Sequence, residues 1–232
     1  EPSPAFSCDI AFEAQAAAAA MVSVKLRAPC LPNERFTMHH NGMMFTGVTD
    51  NAGHYAGSVP ALARNAVFMI VFPNSDGRTA TAEIDTLEYY DRFVVQWQGD
   101  SGLQIHALEY GAAYGDEGHV WFDAARDMAN AARGEGGFVT RLRAPGQQDV
   151  GMAGVYTFPT GTALRAGEVQ ISLEVEVTAE NCGRDVEAQA LHVSGPGTAE
   201  TRMLSLSMPD CNAVGDYLVL KNMFDDLKIA RN

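Results

Sequence analysis

A cysteine-led phrase occurs near both ends of the chain. CDIAFEAQA covers residues 8–16, and CGRDVEAQA covers residues 182–190. Each copy continues through a methionine-led apolar stretch, MVSV or MLSL, to a second cysteine, Cys30 or Cys211. A repeat constrains the fold of both copies. These ordered matches predict an internal duplication.

The four cysteines predict two local disulfide bonds, Cys8–Cys30 and Cys182–Cys211. Four cysteines allow three pairings, and the repeat favours this one. The sequence has no CxxC motif, which disfavours zinc-ribbon and thioredoxin-like proteins. Because disulfides persist in oxidising compartments, we expect a periplasmic or extracellular protein, and four reduced cysteines in a cytosolic protein are the alternative. The polar start EPSPAFSC is consistent with signal removal or with a shortened chain.

The repeat also changes how the alanine run is interpreted. FEAQAAAAAM, residues 12–21, has high helix propensity because alanine is the best helix former. The corresponding part of the second copy contains SGPG, residues 194–197, which is typical of a turn between extended segments. If the copies share a fold, the alanine run is a strand that leads into a turn.

The segment RFTMHHNGMMFTGV, residues 35–48, predicts a β-hairpin. Its Asn41-Gly42 pair suits the two positive-φ positions of a type I′ turn. Strand alternation then predicts one apolar face, made of Phe36, Met38, His40, Met43 and Phe45. The opposite face carries Thr37, His39, Met44 and Thr46.

Short strand-like segments separated by turn residues recur along the chain, which is typical of β-sandwiches. FDAARDMANAAR, residues 122–133, favours a short helix that GEGG ends. We therefore predict a mainly β protein with two Ig-like or prealbumin-like β-sandwich domains, an internal duplication and a short connecting helix. The predicted domains cover residues 1–121 and 146–232, and the connector covers residues 122–145.

The sequence TDNAGHY, residues 49–55, is followed by the extended segment SVPAL. With Thr49, Asp50, Gly53 and Tyr55, it resembles the TDxxGxY strand–turn–strand signature of carboxypeptidase-regulatory-like and Cna-B-type β-sandwich modules. The resemblance is local. It implies a secreted Ig-like or prealbumin-like fold with a structural or accessory role.

The formal net charge of −13 restricts the partners of this chain. An acidic surface repels phosphate backbones and anionic headgroups, so nucleic acid and membrane-surface partners are disfavoured. The charge otherwise serves solubility or offers a surface for cations. No stretch approaches the roughly 20 apolar residues of a transmembrane helix, and we predict no transmembrane segment.

The densest group of polar and aromatic residues lies in HALEYGAAYGDEGHVW, residues 106–121. Its candidate ligand-binding residues are His106, Glu109, Tyr114, His119 and Trp121. Two imidazoles and a carboxylate suit Zn²⁺ with an open position, although the spacing matches no established zinc motif. His106 and Glu109 are three apart, so on a regular strand they face opposite sides. The alternatives are a ligand-binding loop and structural hydrogen bonding in a tight turn region.

Other metal sites are weaker candidates. Thioether and imidazole groups that suit copper occur at Met38, His39, His40, Met43 and Met44, with His54 nearby, although most of these are also predicted core positions. The acidic turns TDNAG, NSDG and GDEG could bind Ca²⁺, but none follows the DxDxDG pattern. We predict no cofactor, with Ca²⁺ and Zn²⁺ as the candidates.

The sequence contains no GxSxG, SxxK, GxGxxG or GxxxxGK[ST] motif. We therefore expect an exported, non-enzymatic β-sandwich protein with a binding or structural role at the cell envelope and a protein or glycan as its partner. The alternative is a metal-binding protein or metal-dependent hydrolase that uses His106, Glu109 and His119.

Overall fold

The computed structural model describes residues 9–147, 150–195, 197–221 and 223–230. It confirms the mainly β class, because four antiparallel sheets make up most of the described chain. The predicted Cys182–Cys211 bond is formed, with the two Cα atoms 4.9 Å apart. The predicted Cys8–Cys30 bond involves Cys8, which lies outside the described residues.

The first seven strands form two sheets, with strand orders β1-β2-β5 and β4-β3-β6-β7. Their bounds are β1 Ala11–Ala17, β2 Met21–Arg27, β3 Arg35–His40, β4 Met43–Val48, β5 His54–Pro60, β6 Asn65–Val71 and β7 Gly77–Glu83.

The later strands form two five-stranded sheets. Their bounds are β8 Asp91–Gln98, β9 Leu103–Glu109, β10 His119–Val120, β11 Phe138–Leu142, β12 Gly151–Phe158, β13 Gly167–Glu176, β14 Asp185–Ser194, β15 Glu200–Ser207, β16 Tyr217–Leu220 and β17 Leu227–Ile229. The central sheet has the order β11-β12-β8-β14-β15. The outer sheet has the order β10-β9-β13-β16, and β17 also pairs with β13.

The described helices are short. A short helix is present within the predicted helical segment 122–133 as α1, Met128–Ala132, and its N-cap residue Asp127 accepts a hydrogen bond from the Ala129 backbone N–H. The 3-10 helices are Ala18–Ala20, Asp85–Tyr89, Phe122–Ala124 and Cys211–Ala213. None of the helices in the described part of the chain is long and apolar enough to cross a membrane.

The central sheet is buried on both faces. On β8, Val94 packs into the core formed with the first two sheets, whereas its neighbours Phe93 and Val95 pack into the core formed with the outer sheet. Strands β8, β9 and β10 all precede residue 121. Apart from the pair β9–β10, the described strands with which they pair all lie within residues 138–229. This pairing brings β9 beside β13 and positions the candidate site described below.

The alanine run is a strand and a turn, as predicted. Strand β1 ends at Ala17, and Ala19 and Ala20 have φ values of 55° and 52° in the turn before β2. A left-handed conformation costs roughly 1–2 kcal/mol for a residue with a Cβ atom. The side chain of Arg92 supports this turn, since its Nη2 donates to the carbonyl oxygens of Ala19 and Ala20 at 2.8 and 2.9 Å. Burial lowers the pKa of Arg92 to about 9.

The hairpin at Asn41-Gly42 is also confirmed, with positive φ at both turn residues and His40 opposite Met43. The predicted apolar face is buried, and His40 lies within it as a packing residue. The His40 Nδ1–H donates to the Val67 carbonyl at 2.9 Å, and Nε2 accepts the Leu62 backbone N–H at 2.8 Å. Burial lowers the pKa of His40 to about 4.

Candidate functional site

Two histidines meet on the outward face of the outer sheet. Strand β10 pairs antiparallel with β9, with His119 opposite Leu108. This register brings the His119 ring beside the His106 ring, with centroids 5.1 Å apart. His106 Nδ1 and His119 Nε2 are 2.8 Å apart, and both residues are buried. The structure therefore brings together the two histidines of the candidate segment.

A carboxylate that the sequence analysis did not identify completes this group. On β13, Ser172 lies opposite His106, and Glu174 is two positions further along the same face. Glu174 Oε2 is 3.5 Å from His106 Nε2. The Tyr114 hydroxyl donates to Glu174 Oε1. We call His106, His119, Glu174 and Tyr114 the histidine cluster.

The hydrogen bonds define the tautomers of the histidine cluster. The Gly115 backbone N–H donates to His119 Nδ1 at 3.1 Å, so a neutral His119 carries its proton on Nε2. That proton is donated to His106 Nδ1, and a neutral His106 therefore carries its proton on Nε2, which faces Glu174. One directed chain thus runs from the Gly115 amide to the Glu174 carboxylate.

Burial favours the neutral form of both histidines. Desolvation lowers the pKa of His106, which Glu174 partly opposes and His119 reinforces. Desolvation also lowers the pKa of His119. Both imidazoles are therefore neutral at pH 7. Burial, and then the hydrogen bond to Glu174, raise the pKa of the Tyr114 hydroxyl.

Aromatic rings surround the histidine cluster. The Trp121 ring is stacked on both imidazoles, with centroids 5.1 Å from His106 and 5.6 Å from His119. The Tyr114 ring packs edge-on against His119 at 4.8 Å. Tyr114 is 52% exposed and Trp121 is partly exposed. These two side chains, which we call the aromatic surface, are the part of the site that solvent reaches.

Glu109 does not join the histidines. It lies on the inward face of β9, as its three-residue separation from His106 requires on a regular strand. Glu109 Oε1 accepts the Tyr156 hydroxyl and the Gly137 backbone N–H, each at 2.7 Å. Its Oε2 pairs with Arg126 Nη1 at 2.7 Å. We call Glu109, Arg126 and Tyr156 the carboxylate cluster, which joins β9 to β12 and to the segment after β10.

Metal-binding groups are sparse in the described residues. Residues 9–147, 150–195, 197–221 and 223–230 contain no group of three His, Cys, Asp or Glu side chains placed to hold a metal ion. The acidic turns use their side chains locally, since Asp50 accepts the N–H groups of Ala52 and His54, and Asp116 accepts that of Ala113. In the NSDG turn, the Asn74 amide donates to Asp76.

No family model matches the chain, and no curated protein matches it significantly. Among solved structures, one titled "Crystal Structure of Rst D1-D2" is 9% identical, and the match covers 87% of this chain and 99% of that chain. Its TM-score is 0.23, which is too low to carry an argument about fold or function.

Proposed function

We propose that this chain is an exported, non-enzymatic protein that binds a glycan or protein ligand at the cell envelope through the aromatic surface. One observation carries this proposal. Three of the four ring nitrogens of His106 and His119 are hydrogen-bonded, and the fourth, His106 Nε2, lies 3.5 Å from Glu174 Oε2, so the pair is engaged within the cluster. The Tyr114 ring, in contrast, is held in place and faces solvent.

The histidine cluster gives the aromatic surface a fixed geometry. Glu174 holds the Tyr114 hydroxyl, and His106 and His119 support the Trp121 ring from behind. A tyrosine or tryptophan that is already ordered contributes a large contact area at little cost in conformational entropy. Such rings suit stacking against a sugar or packing into a protein surface. The acidic net charge disfavours phosphate-bearing ligands.

The disulfide supports the exported location in this proposal. The Cys182–Cys211 bond closes a segment of 29 residues, and such bonds persist in oxidising compartments. Restriction of the unfolded chain by a bond of this kind typically contributes about 3 kcal/mol. A periplasmic or extracellular site of action is consistent with a binding role at the envelope.

We also infer two sandwich units, each of which contains one copy of a duplicated hairpin. Hairpins β1–β2 and β14–β15 each carry EAQA on the first strand, and each is followed by a strand in the facing sheet, β3 or β16. The repeat aligns Gln15 with Gln189 and Ser23 with Ser205. In the first hairpin Gln15 lies opposite Ser23, but in the second Gln189 lies opposite Met203, which is two residues before Ser205. A shift of two residues keeps each side chain on its original face.

Trp121 fluorescence tests the proposal directly. The chain has two tryptophans, and Trp97→Phe leaves Trp121 as the reporter. We expect a saturable change in Trp121 emission with one class among defined envelope oligosaccharides and purified envelope proteins. Tyr114→Ala should abolish that change. Tyr89→Ala removes an exposed tyrosine ring outside the aromatic surface, and this variant should keep the emission change.

Two results would contradict the proposal. One is binding that Tyr114→Ala leaves unchanged, because the aromatic surface would then not be the ligand site. The other is hydrolysis of a substrate that requires added Zn²⁺ and is lost in His106→Ala, because the alternative metal-dependent hydrolase would then account for the cluster.

A further inference from the structure

A row of three soft side chains crosses the exposed face of the sheet β4-β3-β6-β7. His39 on β3 lies directly opposite Met44 on β4 and directly opposite Met69 on β6. The neighbours of His39 along β3, Met38 and His40, point into the core. Strand alternation therefore places His39, Met44 and Met69 together on the outward face.

This row is accessible to solvent. Met44 is 45% exposed and Met69 is 40% exposed. His39 is partly exposed, and its ring makes no hydrogen bond to any residue that the structure describes. The adjacent His40, in contrast, uses both ring nitrogens in the core.

The spacing of the row allows one small ion to contact all three side chains. Directly opposite residues on antiparallel strands have Cβ atoms about 4.5–5.5 Å apart. Methionine has three rotatable side-chain bonds, so a thioether on each side can reach toward the central imidazole. The sheet holds the three Cα positions in place, and only the flexible ends need to move.

We propose that Met44, His39 and Met69 form a Cu(I) site on the outward face of this sheet. Thioether sulfur and imidazole nitrogen are the soft ligand set that selects Cu(I), whereas hard cations prefer carboxylate and carbonyl oxygen. The next position in the row, opposite Met69, is Thr79, and it supplies no carboxylate. This proposal stands apart from the ligand-binding role of the aromatic surface.

Competition with a chromogenic Cu(I) chelator under anaerobic conditions tests the site. Ascorbate should serve as the reductant, because thiols would compete for copper and reduce Cys182–Cys211. We expect one Cu(I) per chain in the wild type. The double variant Met44→Leu/Met69→Leu should bind at least about 100-fold more weakly, which exceeds the effect of most changes outside the ligand set. His39→Ala should have a comparable effect.

Met128→Leu is the matched control, since Met128 is 38% exposed on helix α1, outside the sheet that carries the row. This variant should keep wild-type Cu(I) affinity. A wild type that fails to compete with the chelator would overturn the proposal. Equal affinity in wild type and double variant would also overturn it, because the copper would then bind elsewhere.

A second measurement uses Ag(I) as a redox-inert probe and the methionine methyl groups as NMR reporters. The methyl signals of Met44 and Met69 should shift on addition of one equivalent, and that of Met128 should stay in place. The three positions are on the surface, so the variants should unfold at the wild-type temperature. Shifts confined to methionines outside the row would contradict the proposal.

Discussion

Strand β9 carries a polar cluster on each of its two faces. The inner cluster is built on an ion pair, and the outer cluster is built on two hydrogen-bonded histidines. Inside, Glu109 pairs with Arg126 and also accepts hydrogen bonds from Tyr156 and Gly137. Outside, His106 and His119 are neutral, and hydrogen bonds run from Gly115 through His119 to His106, whose Nε2 faces Glu174.

The difference shows how the face of a strand sets the role of a residue. The carboxylate cluster lies between the outer and central sheets, where a buried charge needs several partners. The histidine cluster lies near solvent, where neutral rings can support an exposed tyrosine. The first cluster therefore stabilises the packing of two sheets, and the second positions a surface.

The largest effect is expected from breaking the carboxylate cluster. Glu109→Ala leaves Arg126 without its carboxylate partner and leaves the Tyr156 hydroxyl and the Gly137 amide without an acceptor. Removing one partner of a buried ion pair costs roughly 3–5 kcal/mol of unfolding free energy, which denaturant titration can measure. Glu135→Ala, at an exposed ion pair with Arg133, is the control and should have no measurable effect. A similar result for both variants would contradict the assigned role of Glu109.

Acidification should destabilise the protein through its buried histidines. The folded-state pKa values of His106 and His119 are lowered, so below the ordinary value of about 6.5 the unfolded chain binds more protons. Stability is therefore complete above that pH and falls as the pH decreases toward the lowered values. His40, with a folded pKa of about 4, contributes about 3 kcal/mol to the same loss.

Urea unfolding between pH 8 and pH 4 separates these contributions, in the pH range where histidines titrate. The double variant His106→Gln/His119→Gln should show a shallower pH dependence than the wild type, and the remaining slope should come mainly from His40. An unchanged slope in the double variant would show that the histidine cluster does not bury neutral imidazoles.

A smaller effect is expected from Glu174→Gln, which keeps the shape of the side chain but removes its charge. Glu174 raises the pKa of His106 against the effect of burial. The substitution should therefore lower the His106 pKa further, as measured by NMR titration of its ring. Glu168→Gln, at an exposed position at the start of β13, should leave the titration of His106 unchanged. A rise in the His106 pKa in Glu174→Gln would rule out the proposed contact.

The smallest effect is expected from Tyr114→Phe. This change removes one hydrogen bond from a half-exposed residue, so the global unfolding free energy should fall by less than about 1 kcal/mol. Hydrogen exchange of the amides between β9 and β10 should become faster, because the Tyr114 contact helps to hold that segment. Unchanged exchange there, together with lost ligand binding, would assign Tyr114 to contact with the ligand alone.

Local patterns in the sequence predict much of this structure. The Asn41-Gly42 hairpin and the short helix after residue 122 depend on neighbouring residues, and the turn in the alanine run follows from comparison with the second copy of the repeat; all three are present. The alternation that separates His106 from Glu109 is also local. This alternation predicts that the two side chains converge only on an irregular strand, and on β9 they lie on opposite faces.

The long-range features could not be predicted in this way. Glu174 reaches His106 only because β13 pairs with β9 in one particular register, and single-sequence patterns do not determine that register. The same applies to Met69, which joins His39 through the pairing of β6 with β3. Arg92 supports a turn formed by Ala19 and Ala20, and its sequence neighbours give no sign of that role.

The central claim is that His106 and His119 form a neutral, internally bonded pair that supports a binding surface. Nitrogen-15 NMR of the imidazole rings tests it most directly. At neutral pH, we predict a proton on Nε2 of each ring, an unprotonated Nδ1 on His119, and no change in these signals when Zn²⁺ is added. Protonation of both nitrogens of either ring, or displacement of a ring proton by Zn²⁺, would contradict the account.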